Sequence, residues 1–396
     1  MTPGTTRIIN IVDLFAGCGG FTQGFHTFRP ESSETSPFRT VGAVEWDIAA
    51  ASTYAANFAE EAGGTDHIFA GDIKHWDPGM VNADVDVILG GPPCQGFSGL
   101  GKEDPDDPRN RLWKEYVRVV RALKPKFFVI ENVDRFFRSI EFELLTASTS
   151  RDGDLRDYVL VSKILNAADY GVPQARKRAI VLATHKDVVA SHPERKPLEH
   201  PRPTHRKPVK NEGGLLPLAP VLKEWVPAGV VFAHTPMETS TTELPARTCQ
   251  MLGRVLPGVF TTSELHVGRN PTARSLARYR AIPENGNRHD LPEHLSTPNW
   301  LKHRNGSGDV MGRMYWDRPS VTIRTEFYKP EKGRYLHPKA HRPITHMEAA
   351  LLQGFPLDYR WIGSKVQIAR QIGNAVPVGL STAIAASLYE YLQDIG

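Results

Sequence analysis

The chain has 396 residues, of which 40% are hydrophobic and 23% charged, a composition that allows a sizeable core and room for two domains. It contains no run of about 18 apolar residues, so no membrane-spanning helix is predicted, and its first residues lack the basic start and apolar core of a secretory leader. Cys18, Cys94 and Cys249 lie far apart, which disfavours a disulfide framework or a cysteine-based zinc site and favours a cytoplasmic location.

The net charge of +4 is unevenly distributed along the chain. Residues 184–317 carry 18 Lys/Arg and 13 Asp/Glu, whereas the rest of the chain carries 30 and 31. Within this basic region, residues 193–210 combine prolines with basic side chains, in the sequence PERKPLEHPRPTHRKPVK. This composition fits two alternatives equally well, a solvated linker or an arm that contacts the phosphates of a nucleic acid.

The first 185 residues show a regular alternation of strand and helix patterns. Apolar runs predict strands at residues 7–15, 40–46, 67–73, 85–91 and 126–133. Helical spacing follows three of them, at residues 20–28, 47–58 and 111–123, and Asp47 is a suitable N-cap for the second. Alternating strands and helices predict a parallel sheet covered on both faces. Such sheets bind ligands beyond the carboxyl ends of their strands, where this chain places Gly17, Glu45, Asp72, Cys94 and Glu131.

A glycine-rich turn, DLFAGCGG at residues 13–20, follows the first predicted strand. Glycines there let a ligand approach the backbone. Glu45 ends the second strand and can bind ribose hydroxyls, the adjacent Trp46 can stack on adenine, and Asp72 can accept from the adenine amino group. These residues predict an adenosine ligand. The turn does not match G-x-G-x-x-G, and Glu45 lies beyond the ~20 residues typical of a dinucleotide site, so S-adenosylmethionine is favoured over NAD.

At these motifs the chain resembles the bacterial DNA (cytosine-5-)-methyltransferase family. The resemblance covers about two-thirds of the chain, in the family's order, with the motifs DLFAGCGGF, VEWD, GDI, GPPCQGFS, DPRNRL, ENV, YGVPQARKR, RPSVTIRTE, HPKAHRPITHMEAALLQGFP and QIGNAVPV. It implies an α/β, Rossmann-like S-adenosylmethionine-dependent methyltransferase fold with a smaller inserted domain. Residues 1–183 and 318–396 are expected to form the catalytic and cofactor-binding domain, and residues 184–317 the target-recognition domain.

The resemblance also implies which residues bind the cofactor. They are Phe15, Gly17, Cys18, Gly19, Gly20, Glu45, Trp46, Asp72, Ile73, Pro92, Leu112, Asn374 and Val376. No metal is expected. The expected substrate is double-stranded DNA, bound by a monomer, and the enzyme is expected either to act alone or to accompany a restriction endonuclease of the same site. The resemblance further implies a cytoplasmic, nucleoid-associated location and no membrane partner.

The catalytic residues implied are Cys94, Glu131, Arg176 and Arg178. Cys94 is expected to add as a thiolate to carbon 6 of a flipped-out cytosine, which makes carbon 5 able to attack the methyl group. Glu131 would hydrogen-bond or protonate ring nitrogen 3, and Arg178 would hold the 2-carbonyl oxygen. Arg176 is expected to brace its loop or a phosphate. The glycine-containing, charged segment 95–111 is expected to be mobile and to close over bound DNA.

Three other functions compete with this one. A transfer-RNA cytosine methyltransferase of the same fold is the first, because fold does not determine substrate. A non-catalytic DNA-binding regulator is the second, against which the intact catalytic residues argue. The third is an enzyme that methylates free nucleotides, which would not need a large basic insert.

Overall fold

The computed structural model describes residues 7–31, 33–93, 112–191, 194, 196–208, 222–303 and 305–393. The chain divides into two compact units, each assembled from separate segments. The first unit comprises Met1–Asn166, Lys177–Arg202 and Val376–Gly396. The second unit comprises Ala167–Arg176 and Pro203–Ala375. Residues 318–375 thus lie in the second unit, although the sequence grouped them with the catalytic domain, and the functional boundaries at 184 and 317 stay a prediction.

The first unit contains a seven-stranded sheet with the order β3-β2-β1-β4-β5-β7-β6. Its strands are β1 (Ile9–Leu14), β2 (Phe38–Glu45), β3 (Ile68–Ala70), β4 (Val87–Gly90), β5 (Phe127–Val133), β6 (Tyr158–Asn166) and β7 (Lys177–His185). Strands β1 to β5 are parallel to one another, whereas β7 runs antiparallel between β5 and β6. The five predicted parallel strands are confirmed, and β6 and β7 are additional strands that the periodicity did not predict.

Helices accompany the sheet in the first unit, and short helices occur in the second unit. They are α1 (Gly20–Thr27), α2 (Ile48–Phe58), α3 (Leu112–Leu123), α4 (Ile140–Ala147), α5 (Lys186–Ala190), α6 (Gly229–Ala233), α7 (Ala273–Ala281), α8 (Pro298–Lys302), α9 (His346–Leu352), α10 (Lys365–Asn374) and α11 (Val378–Gln393). Asp47 caps α2 as predicted, because its carboxylate accepts from the main-chain N–H groups of Ala49 and Ala50 at 2.9 and 3.1 Å. No single described helix is long and apolar enough to span a membrane, and α10 and α11 pass that test only as a consecutive pair.

The last helix closes the core of the first unit by packing on α1. The Ser381 hydroxyl donates to the main-chain oxygen of Phe21 at 2.6 Å. A Cβ on Gly24 would lie 2.3 Å from the Cβ of Ser381, so the two helices can approach this closely only with glycine at that position. This contact brings the end of the chain back to the glycine-rich turn at its start.

The basic, proline-rich segment is packed against the first unit where the structure describes it. The main-chain N–H of Leu198, a buried residue, donates to the Thr184 hydroxyl of β7 at 3.0 Å. Ser387 and Tyr391 of α11 donate from their hydroxyls to main-chain oxygens of the same segment, at 3.1 and 3.0 Å. Residues 196–202 are therefore held along β7 and α11, which contradicts the solvated-linker alternative for this stretch.

The second unit has less regular secondary structure than the first, and buried arginine side chains donate hydrogen bonds to its main-chain oxygens. Its strands are β8 (His205–Arg206), β9 (Lys223–Glu224), β10 (Thr248–Met251), β11 (Arg254–Thr261) and β12 (Arg360–Ile362). The Arg313 guanidinium, 2% exposed, donates to four main-chain oxygens, those of Tyr279, Ile282, His337 and Ala340. Because a guanidinium carries five N–H donors, it replaces hydrogen bonds that regular structure would supply.

Candidate functional site

The turn after β1 combines tight packing with open space. Phe15, Gly17 and Gly19 all have positive φ angles, of 56°, 57° and 88°. A Cβ on Gly19 would lie 2.4 Å from Phe58, so the turn must have glycine there to pack on α2. A Cβ on Gly17 would meet no atom within 4 Å. The main chain at Gly17 is thus accessible to a ligand, as the predicted cofactor loop requires.

Glu45 links this turn to the end of β2. One carboxylate oxygen accepts from the Gly17 N–H and the other from the Asp47 N–H, each at 2.8 Å. The side chain is 7% exposed, and burial raises its pKa. The next residue, Trp46, is 79% exposed, although tryptophan is a residue that proteins bury. A buried acid beside an uncovered indole ring fits the ribose and adenine of an adenosine ligand.

The end of β3 supplies the third predicted element of the cofactor site. Asp72 caps a short 3-10 helix by accepting from the Lys74 N–H at 3.1 Å, and its side chain is 46% exposed. The buried Ile73 follows it. Arg118 of α3 donates to the main-chain oxygens of Ile73 and Trp76 at 2.8 and 3.2 Å, which holds this turn in place. Since β1, β2 and β3 are neighbouring parallel strands, the three predicted elements that follow them lie side by side at the carboxyl ends of these strands.

The remaining predicted cofactor residues lie in different places. Cys18 and Gly20 belong to the turn after β1, and Pro92 is a buried residue just after β4. Leu112, half-buried, is the first residue of α3. Asn374 is the exposed last residue of α10 in the second unit, and Val376 is a buried residue at the start of the final segment of the first unit. Of these first-unit residues, Cys18, Gly20 and Pro92 follow strand ends, whereas Leu112 begins α3 and Val376 precedes α11. The contribution of Asn374 stays a prediction.

The pairing of β5 with β7 brings two predicted catalytic residues into contact. In this antiparallel register Val133 lies opposite Arg178, and Glu131 opposite Ile180. The Arg178 Nε lies 2.7 Å from a Glu131 carboxylate oxygen, and the two side chains are only 13% and 10% exposed. A charge-assisted hydrogen bond in such a secluded position fixes the orientation of both groups. Glu131 is thus held at the carboxyl end of the parallel part of the sheet.

The segment that leads to Cys94 is attached to the same strand. The Asn132 side-chain amide donates to the main-chain oxygen of Pro92 at 2.9 Å in a buried position. A Cβ on Gly91 would lie 3.3 Å from the second carboxylate oxygen of Glu131, so this glycine allows close approach. Cys94 itself lies outside the described residues, as does the predicted mobile segment 95–111. The ENV motif predicts the glutamate as a catalytic residue, whereas the contact that its asparagine makes with Pro92 is evident only in the structure.

Arg176 belongs to a different environment from Arg178. It is 2% exposed and lies in the second unit, where its Nη atoms donate to the main-chain oxygens of Ile323 and Gly373 at 2.8 and 3.0 Å. Both contacts are to backbone far along the sequence. This geometry supports the bracing role that the sequence favoured for Arg176.

Two buried groups near the glycine-rich turn have shifted pKa values. Cys18 is 1% exposed, and burial raises the pKa of its thiol to about 12, so this cysteine stays neutral and is a poor nucleophile. Burial, opposed by the hydrogen bond that the Thr22 hydroxyl donates at 2.6 Å, raises the pKa of Asp13 to about 7. Among the described residues, no group of three or more His, Cys, Asp or Glu side chains could hold a metal ion.

A family model of the C-5 cytosine-specific DNA methylases matches residues 9–390. The chain belongs to this family. It is 32% identical over 390 residues to the Type II methyltransferase M1.HphI of Haemophilus parahaemolyticus, covering 96% of this chain and 86% of that protein. It is likewise 32% identical over 414 residues to the Type II methyltransferase M.XorII of Xanthomonas oryzae pv. oryzae, covering 98% and 86%. The predicted family and enzyme class, DNA (cytosine-5-)-methyltransferase, are confirmed.

Solved structures confirm the predicted fold of this methylase. A crystal structure described as a DNA modification methyltransferase encoded within an Escherichia coli prophage has a TM-score of 0.64 at 22% identity, covering 97% of this chain and 99% of that chain. A Spodoptera frugiperda DNMT2 variant has a TM-score of 0.53 at 19% identity, covering 96% and 99%. Both likenesses support the α/β methyltransferase architecture.

Replacing Trp46 with alanine is expected to weaken S-adenosylmethionine binding about 5- to 150-fold, because stacking of a base on an aromatic ring contributes ~1–3 kcal/mol. Isothermal titration calorimetry with the purified methylase measures this directly. Trp46→Phe keeps a ring and should retain most of the affinity. Met80→Ala removes another exposed apolar side chain, 64% exposed, and should change nothing. If Trp46→Ala and the wild type bind S-adenosylmethionine with equal affinity, Trp46 does not contact the cofactor.

Asp13 makes a pH-dependent contribution to stability that Asp13→Asn should remove. Its pKa rises from 3.8 to about 7 on folding, so its stabilising effect is complete below pH 3.8 and is lost as the pH rises through 7. Between pH 6 and pH 8 we expect the wild type to lose about 1 kcal/mol more unfolding free energy than Asp13→Asn does. Urea unfolding at both pH values measures this difference. The exposed Asp66→Asn should behave like the wild type, and parallel losses in all three proteins would contradict the prediction.

Proposed function

We propose that this methylase transfers a methyl group from S-adenosylmethionine to carbon 5 of a cytosine that has left the DNA duplex, through a covalent adduct with Cys94. The observation that carries the proposal is the Glu131–Arg178 contact of 2.7 Å, on the strand whose Asn132 holds the Pro92 carbonyl at 2.9 Å. These contacts place an acid and a fixed cation beside the segment that leads to Cys94. The sequence implied this constellation, and its geometry supports the assigned chemistry.

Each group has a defined part in the reaction. The Cys94 thiolate adds to carbon 6, and the charge that moves into the ring is drawn to nitrogen 3 and to the 2-carbonyl oxygen. Glu131 hydrogen-bonds or protonates nitrogen 3, and Arg178 donates to the oxygen. S-adenosylmethionine supplies the electrophilic methyl group for carbon 5. Water then takes the proton from carbon 5, and the electron pair of that carbon–hydrogen bond restores the aromatic ring as the Cys94 thiolate is expelled.

The first-unit residues fit an adenosine-containing cofactor. The main chain at Gly17 faces open space, Glu45 is buried beside it, and the Trp46 ring is uncovered. We assign the ribose to Glu45, the adenine face to Trp46 and the adenine amino group to Asp72. The carboxylate of Glu45 already accepts two main-chain N–H groups, which orients it before the cofactor binds.

The substrate follows from the reaction and the charge of the chain. Carbon 6 of a stacked cytosine is inaccessible to a side chain, so the base must leave the duplex, at a cost of a few kcal/mol. The basic region 184–317 is proposed as the target-recognition domain. We further propose a monomer that acts in the bacterial cytoplasm on nucleoid DNA, alone or with a restriction endonuclease of the same site.

One experiment tests this function directly. The methylase is expressed in a host that lacks cytosine methylation, and the host DNA is sequenced for 5-methylcytosine. We expect methylation at one defined sequence. Parallel assays of the purified enzyme with duplex DNA, transfer RNA and free cytidine nucleotides separate the alternatives. Methyl transfer to transfer RNA or nucleotide but not to DNA would overturn the proposal.

A further inference from the structure

Strands β10 and β11 form a hairpin in the second unit. Met251 pairs with Arg254, so that only Leu252 and Gly253 form the turn, with φ angles of 47° and 72°. Positive φ at both central residues is the geometry that continues the twist of two antiparallel strands. The pairing extends from the turn to Thr248 opposite Pro257. The result is a regular two-stranded ribbon.

One face of this ribbon is entirely exposed. Successive side chains of a strand point to opposite faces, and the register places two cross-strand pairs, Thr248 with Pro257 and Gln250 with Val255, on the same face. All four side chains are exposed, and Val255 is 70% exposed. Antiparallel sheets commonly leave one face in solvent, and this face presents the hydrogen-bonding side chains of Thr248 and Gln250 beside the apolar Val255, so it can contact an external partner.

The base of the ribbon, by contrast, is firmly anchored. Phe260, 1% exposed, pairs in register with the buried Trp361 of β12. Arg247 donates to the main-chain oxygen of Val259 at 2.7 Å and to the Glu264 carboxylate at 2.5 Å. That ion pair lowers the pKa of Glu264 to about 2, so the contact persists at every physiological pH. An anchored base presents the exposed face in a defined orientation.

The charge and dimensions of the ribbon point to nucleic acid. Residues 247–261 contain two arginines and neither aspartate nor glutamate. Arg247 is engaged with Glu264, whereas Arg254 is exposed beside the turn. The major groove of B-DNA is ~12 Å wide and admits a two-stranded β-ribbon. Glutamine reads adenine by two hydrogen bonds, threonine contacts several bases, and an apolar side chain contacts the thymine methyl group.

We propose that the β10–β11 ribbon enters the major groove of the substrate and reads base pairs beside the target cytosine through Thr248, Gln250 and Val255. Arg254 then lies near the phosphates, where a cation adds affinity without sequence information. This inference rests on the proposed function, because it names the residues that select the DNA sequence to be methylated.

The test is the sequence preference of variants on a library of duplexes with randomised positions around cytosine. Gln250→Ala should relax the preference at one base pair, with discrimination against the wrong base reduced about 5- to 150-fold, while the original site is still methylated. Val255→Ala should relax a different position. Gln393→Ala, at an exposed glutamine that ends α11, is the matched control and should keep the wild-type preference. Wild-type preference in the variant Thr248→Ala/Gln250→Ala/Val255→Ala would overturn the inference.

A second measurement needs no substitution. Cys249 is half-buried on the opposite face of the ribbon, and N-ethylmaleimide modification followed by peptide mass spectrometry reports its accessibility in the wild-type enzyme. Because Cys249 lies on the face that points away from the bases, we expect saturating target duplex to leave its modification rate within twofold of that of the free enzyme. A rate slowed several-fold would show that the opposite face contacts the duplex and would contradict the assigned reading face, as would a ribbon that instead mediates self-association, detected as a dimer that the triple variant abolishes.

The outcomes separate the two proposals. If the wild type methylates no cytosine in DNA, the proposed function fails, and the ribbon inference fails with it. If the wild type methylates one defined sequence and the ribbon variants keep that sequence, only the ribbon inference fails.

Discussion

Cys94→Ser is expected to lower the turnover number for methylation by about 10⁴-fold or more, while S-adenosylmethionine binding stays within twofold of the wild type. A serine hydroxyl is far less nucleophilic than a thiolate near neutral pH, and removal of a covalent nucleophile is among the most costly changes to an enzyme. Methyl transfer from radiolabelled cofactor to duplex DNA measures turnover, and calorimetry measures cofactor binding. Retained methylation would exclude the thiol mechanism.

A covalent trap identifies the attacking cysteine. Duplex DNA with 5-fluorocytosine at the target should capture the wild type irreversibly, because fluorine does not leave as a proton does. Peptide mapping should locate the adduct on Cys94 and not on the buried Cys18, whose pKa is raised to about 12. Unsubstituted duplex is the control and should give no stable adduct. An adduct on any other residue would contradict the assignment.

Glu131→Gln is expected to lower the turnover number about 10²- to 10⁴-fold, the usual range for loss of a group that transfers or shares a proton in the transition state. Glutamine keeps the size of the side chain but cannot protonate ring nitrogen 3. It also removes the charge that Arg178 contacts at 2.7 Å. Single-turnover kinetics with saturating cofactor and duplex separate this loss from any change in binding.

The Glu131–Arg178 contact predicts that the two residues act together. We expect Arg178→Met to lower turnover strongly, and Glu131→Gln/Arg178→Met to lose much less than the product of the single losses. Asp154→Asn breaks another ion pair, 2.8 Å from Arg121 on the exposed surface, and should leave turnover unchanged. Losses that multiply in the double variant would show that the two residues do not function as a unit.

The sequence alone predicted the parallel half of the sheet and the elements that flank it. Buried parallel strands appear as continuous apolar runs such as VDVILGG, so β1 to β5 could be located from their composition. The cap at Asp47 is a contact with the next three residues and is equally local. The positions of Gly17, Glu45 and Asp72 at strand ends follow from these assignments, since Glu45 and Asp72 are each the next-to-last residue of a predicted strand and Gly17 lies two residues after one.

Only the tertiary structure showed that Glu131 of β5 and Arg178 of β7 are in contact. Strand β6 is largely half-buried or exposed along YVLVSKILN, so it lacks the apolar run of a central strand. Of its partner β7, only Lys177 and Arg178 belong to the YGVPQARKR motif, and the buried apolar run that follows them is a strand that the sequence analysis did not predict. The contact of Glu131 with Arg178 depends on β7 lying antiparallel between β5 and β6, in the register that pairs Val133 with Arg178. The hydrogen bond from the Asn132 side-chain amide to the Pro92 main-chain oxygen likewise joins the ends of β5 and β4. Strand order and register are set by hydrogen bonds between segments distant in sequence, which no local pattern encodes.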